Sequence, residues 1–303
     1  MSFTDEADPI ISDLPFTSHP KPAKTVTAVL PDEPLIRIRV RKQFSLVEGR
    51  EIWIHRELLY YLVWRDLKAR YKQTILGGSW IILQPLLMTL VFAIFLGRIA
   101  RVPSDGIAYV PFLFSALLPW TFFSNAVSAS SYSLINNAPL LTKVYFPRLL
   151  VPAAATLVRL SDFTVSAVVL LVLLIYYHQT LHWTILLAPV LVLQVTLLAL
   201  GIGMWFSALN AKYRDISTAL PVLLQLWMFT TPIVYPASLV PAKWTWLYEL
   251  NPMVGIIEGF RSALLGVQMN WRSLAISTLV SFILILLSTH AFEKLDEEFA
   301  DVI

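Results

Sequence analysis

Beyond residue 78 the chain alternates long apolar runs with short polar breaks. Six segments, at about 79–97, 108–131, 150–177, 184–208, 217–235 and 273–292, are apolar almost throughout. Crossing roughly 30 Å of hydrocarbon takes about 20 helical residues, so the pattern predicts an all-α integral membrane fold with six transmembrane helices. The first, GGSWIILQPLLMTLVFAIFLG, carries Pro85, which predicts a kink. The fifth, TALPVLLQLWMFTTPIVYP, is bounded by prolines and is the shortest.

Two other apolar segments are not expected to cross. In EIWIHRELLYYLVWRDLKARYK (51–72), Trp53, Tyr60, Trp64, Leu67 and Tyr71 recur near helical spacing, with Lys68, Arg70 and Lys72 on the other side and Leu58 breaking the pattern. An aromatic face opposite a basic one predicts a helix lying in the membrane interface. The segment 250–267, LNPMVGIIEGFRSALLGV, carries Glu258 and Arg261 at its middle and is too short and too charged to span. A re-entrant pair of short helices on the external side is expected, because such backbone is tolerated where protein covers it. Its GIIEG fits G-x-x-x-G, a weak signal for close helix contact.

Composition agrees. Of 303 residues 57% are hydrophobic and only 14% charged, with mean hydropathy +0.67, against about 25% charged in soluble proteins. Charge sets orientation. Placing the region before the first span inside puts seventeen Lys and Arg on that side, including those of 132–149, 209–216 and Lys294, against five opposite. Both termini are then cytoplasmic, and the basic pI reflects topology and not nucleic-acid binding. Residues 1–34, rich in Pro, Asp, Ser and Thr, offer no signal-peptide core. The expected organisation is an irregular N-terminal extension over 1–50, an interfacial helix over 51–72, a transmembrane domain over 79–292 and a cytoplasmic tail over 293–303.

Catalytic signatures are missing. The sequence holds no G-x-x-x-x-G-K-[ST] phosphate loop, no H-E-x-x-H and no cysteine. His178 and His182 flank a turn with no third ligand nearby, so no metal site is predicted. Arg159 and Asp162, three apart inside the third span, form an expected intramembrane ion pair. Packing and an ion relay are the two readings of it; the near absence of ionisable groups in the other spans favours packing. Most aromatics sit near span ends, where belts form. Trp227, Phe229 and Tyr235 in the fifth span are candidates to line a saccharide path.

Between spans two and three lies NNAPLLTKVYFPRLL (136–150), basic and bracketed by Pro139 and Pro147. Positive-inside charge explains Lys143 and Arg148, but not Leu140, Leu141, Val144, Tyr145 and Phe146. An apolar cytoplasmic loop predicts a protein that covers it, with a short helix over LLTKVYF.

Together these stretches are similar to the transmembrane subunits of ABC-2-type exporters, the permeases for O-antigen, capsule or teichoic acid. The resemblance is carried by LKARYKQTILGGSWIILQPL, NNAPLLTKVYFPRLLVPAA, NAKYRDI, TPIVYP and LNPMVGIIEGFRSALLG, and covers about 51–292. It implies a homodimer in the bacterial inner membrane, each copy bound to a cytoplasmic ATPase that holds ATP and Mg. It implies that Asn136, Asn137, Pro139 and the residues to Phe146 form the element coupling to that ATPase. It further implies that the interfacial helix gates substrate entry and that the 250–267 helices close the external end. The expected function is ATP-driven export of a lipid-linked polysaccharide. Teichoic acid export, drug or lipid export and membrane glycosyl transfer are the alternatives.

Overall fold

The computed structural model describes residues 53–72, 79–144, 146–180, 182–213 and 215–299. The readings of 1–50, of Tyr145 and of the last four residues lie outside them. Every regular element among the described residues is helical. These are α1 (Arg56–Lys72), α2 (Ser79–Phe92, continuing as a π-helix through Ala93–Ile99), α3 (Tyr109–Asn136), the single turn α4 (Ala138–Leu141) and α5 (Leu150–Tyr176). There follow α6 (Ala188–Lys212, led in by a 3-10 turn at Trp183–Leu187), α7 (Ile216–Phe229), α8 (Thr245–Glu249), α9 (Pro252–Leu265) and α10 (Trp271–Phe299).

Five helices are long and apolar enough to cross a membrane: α2, α3, α5, α6 and the first part of α10. The fifth expected span differs. Its helix α7 has 14 residues, about 21 Å at 1.5 Å per residue, and is followed by an irregular stretch at 230–236. The reason is local. Pro232 disfavours helical backbone at Thr231, and the Thr230 and Thr231 hydroxyls both donate to the Trp227 carbonyl, at 2.9 and 2.8 Å. The last helix, by contrast, runs past 292 to Phe299, because AFEKLDEEF is built of good helix formers.

α3 is the axis of the bundle. Every residue from Pro111 to Trp120 is buried, and α5, α6 and α9 pack on it. Small residues permit the closest approach. A side chain at Gly203 of α6 would strike Ser130 of α3, while the Ser133 and Ser207 hydroxyls meet at 3.4 Å and the Asn210 amide donates to the Ser131 carbonyl. With little hydrophobic gradient between helices in lipid, such packing and hydrogen bonding hold a bundle together.

Two separate hydrophobic cores result. The larger gathers Phe114, Phe123, Phe163, Leu198, Ile256 and Phe260 from α3, α5, α6 and α9. The second lies at the end of α3 that leads into α4, and joins Leu62 of α1 to Leu134, Phe146, Leu150, Ala208 and Phe292. α1 therefore packs differently from its expected layout. Leu58, Leu59, Leu62 and Val63 face the protein, whereas Trp53, Tyr60 and Trp64 are exposed. Leu58 does not break the packing face; with Leu62 one turn later it forms that face.

Gly255 sits where α9 and α10 come closest. Its amide donates to the Ser277 hydroxyl at 3.0 Å, and a Cβ there would collide with the Ser273 carbonyl, which cannot move aside. Gly255→Val is expected to destabilise the fold by about 1–3 kcal/mol. Thermal unfolding of the detergent-solubilised protein checks this, and an unchanged midpoint would contradict the packing described.

Candidate functional site

A cavity of about 440 Å³ opens between α2, α3, α5 and α7. Its wall mixes aromatic faces (Trp80, Trp120) with the amides of Gln84, Asn125 and Gln225 and the Ser128 hydroxyl. Polar side chains are costly within apolar helices unless they face one another or water, and the cavity is where these gather. At its edge stand Arg70, Arg159 and Asp162.

Arg159 and Asp162 do meet, at 3.7 Å, but Arg70 of α1 lies nearer the same carboxylate, with Nη1 donating to Asp162 Oδ2 at 2.5 Å. The Asp162 side chain is only 15% exposed. A carboxylate that secluded demands cationic and hydrogen-bonded company, and it receives two guanidiniums from two helices. The ion-pair reading thus lacked its closest member. Arg70 does not belong to a free basic face of α1.

The expected coupling helix is also shorter than predicted. Pro139 sits in the first turn of α4, as proline prefers, but the helix ends at Leu141 and not within LLTKVYF; Thr142 and Lys143 form a turn. β-Branched Thr142 and Val144 and the restriction that Pro147 places on Phe146 disfavour continuation. The candidate residues divide by side. Leu140, Leu141 and Phe146 turn into the second core, while Asn136, Pro139, Lys143 and Val144 are exposed. Asn137 does neither. Its Nδ2 donates to the Ser133 carbonyl at 2.9 Å, and its Oδ1 accepts from Arg65 Nη2 at 2.7 Å, so it caps α3 while holding α1.

Near the opposite end of α3, α9 is a self-contained insert. Asn251 accepts from the Met253 amide at 3.1 Å, Pro252 follows it, and Gly266 ends the helix in left-handed backbone at φ 71°. The His182 ring occupies the space beside Gly266. Nearly every α9 side chain is buried, including Arg261 at 5% exposure. Arg261 donates to the Ile233 carbonyl at 2.8 Å and stacks over the Phe112 ring, 3.7 Å from its centre. Burial lowers its pKa to about 10, so it stays charged near neutral pH, while burial raises that of Glu258. Arg261 thereby ties α9 to the irregular stretch after α7.

None of the three path candidates lines the cavity. Trp227 packs edge-on against Trp120 and Phe123 and donates to Asn251 Oδ1 at 2.9 Å. Phe229 is 54% exposed, and the Tyr235 hydroxyl donates to the Phe229 carbonyl at 3.4 Å. Gln84, Asn125 and Gln225, polar residues inside apolar runs, were the available sequence signal for the cavity. No cluster of metal-ligating side chains occurs among the described residues.

Comparison with known proteins agrees with this architecture. The ABC-2 type transporter family matches residues 57–265. The chain is 33% identical over 258 residues to the O-antigen export system permease protein RfbA of Myxococcus xanthus, covering 84% of this chain and 98% of that one. It is 28% identical to the protein of the same name from Klebsiella pneumoniae, over 82% and 95% of the two chains. It is also 28% identical to the polysialic acid transport protein KpsM of Escherichia coli, over 72% and 86%. The chain is a multi-pass membrane protein of the ABC-2 type transporter family.

Proposed function

We propose that this chain is the permease subunit of an ATP-driven exporter that carries a lipid-linked polysaccharide of the O-antigen kind across the bacterial inner membrane. The observation that carries this reading is the near end-to-end match to permeases named for O-antigen export. The polymer would pass along the cavity walled by Trp80, whose exposed ring offers an apolar face to sugars, with amides placed for hydroxyls. That wall replaces the Trp227, Phe229 and Tyr235 route.

In this reading the chain crosses six times with both termini cytoplasmic. α7 and the stretch after it make the fifth crossing and α10 the sixth, and α8 with α9 form the external re-entrant pair. Trp53, Tyr60 and Trp64 rest in lipid at the interface. A second copy covers exposed Leu83, Leu87 and Leu90 on α2 and Leu223 and Leu226 on α7. Two copies of a soluble ATPase hold ATP and Mg and dock on the exposed face of the α4 turn.

Three outcomes follow. In vesicles containing the chain and its ATPase, labelled lipid-linked polymer should cross only with ATP; transport by the chain alone would overturn the proposal. Val144→Asp, at a side chain 51% exposed, should cut co-purification of the ATPase at least tenfold, about 1.4 kcal/mol. Its thermal unfolding should stay within about 0.5 kcal/mol of the parent, as for most surface changes; undiminished co-purification would contradict the docking role. Because the chain has no cysteine, single Ser104→Cys and Lys143→Cys variants report topology. An impermeant maleimide should label the first from outside cells and the second only after lysis.

A further inference from the structure

α7 borders two cavities. Leu224, Gln225 and Met228 face the one already described. On another face of the same helix, Trp227 and Thr230 line a second cleft of about 380 Å³, together with Trp244, Leu247, Tyr248 and Asn251. Trp227 stands between the two. Its ring meets that of Trp120, part of the inner wall, edge-on with centres 6.4 Å apart. Its Nε1 donates to Asn251 Oδ1 at 2.9 Å, and Asn251 Nδ2 donates to Thr231 Oγ1 at 3.0 Å. One ring and one amide of the cleft are thus fixed before anything binds, so a ligand bears little of the cost of ordering them.

The lining indicates what fits. Trp227, Trp244 and Tyr248 are aromatic, Thr230 carries a hydroxyl and Asn251 an amide. Trp244 is 51% exposed, with the Lys243 ammonium 5.8 Å from its ring centre. A sugar ring presents an apolar C–H face edged by hydroxyls, which suits flat aromatic faces with a few hydrogen-bonding groups among them. An acyl chain would call for neither. The volume falls within the roughly 300–1,000 Å³ of small-molecule sites.

We propose that this cleft is a second saccharide site, in which Trp244 and Tyr248 hold sugar units of the polymer that have left the inner cavity. It rests on the reading of the chain as a polysaccharide permease whose α8 and α9 face outside.

Leu247→Cys, made in the cysteine-free chain, puts a thiol on the cleft wall at a side chain 48% exposed. Trp246→Cys, at a side chain 61% exposed and not on that wall, is the reference. Each is reconstituted in vesicles whose lumen holds the ATPase, and an impermeant maleimide is added outside. ATP with labelled lipid-linked polymer should slow labelling at 247 by about fivefold or more, as mass action gives for a mostly filled site, and leave 246 unchanged. Adding Trp244→Ala to Leu247→Cys should abolish the slowing, and adding Trp244→Phe should keep it. Equal labelling at 247 with and without polymer overturns the proposal. So does slowing at both positions, slowing by ATP without polymer, or slowing that survives Trp244→Ala. The parent complex separates the two failures. ATP-driven transport without protection at 247 refutes the cleft alone, whereas a parent that moves no polymer with ATP refutes the proposed function.

Discussion

A charge set among apolar helices must find a partner, and that constraint arranges both ends of this molecule. An ionised side chain at mid-bilayer costs about 2.5–3.5 kcal/mol on insertion scales even before partners are considered. Asp162 is met by Arg70 and Arg159; Arg261 is met by the Ile233 carbonyl and the Phe112 ring. In each case the satisfied charge fastens a short helix onto the long ones. Arg70 brings α1 to α5, and Arg261 brings α9 to α3 and to the stretch after α7. The long helices supply the barrier, and the arginines place what stands at its two ends.

Between those ends α3 and α6 are tightly packed. Serines and glycines let α3 and α6 approach closely, and such close interfaces slide or separate less readily than a wetted polar contact. Motion is therefore expected where polar groups meet water, at the cavity. α1 shares the second core with the α4 turn and with Leu150, Val151 and Ala154 of α5, the helix it chiefly packs on.

The long helices were legible because apolar length alone decides them, and five appear close to their predicted bounds. The resemblance to ABC-2 permeases was equally legible from local motifs. The fifth helix was harder: apolar content runs on to Tyr235, yet Pro232 and two threonines end the helix at Phe229. On α1 the aromatics dominate any apolar tally and lie outward, and they hid a second face whose leucines pack inward. The Arg70–Asp162 contact joins residues 92 apart, and no local spacing encodes such a pair. For the same reason no local spacing shows that Leu140 and Leu141, read as docking residues, pack in part against the second core.

The central claim is that Asp162 is held among apolar helices by guanidiniums from two helices, Arg70 of α1 and Arg159 of α5. A double-mutant cycle of Arg70→Gln and Asp162→Asn, read as thermal unfolding of the detergent-solubilised protein, tests it directly. The account predicts losses that do not add, with a coupling of about 0.5–3 kcal/mol between the two sites. Additive losses would contradict it.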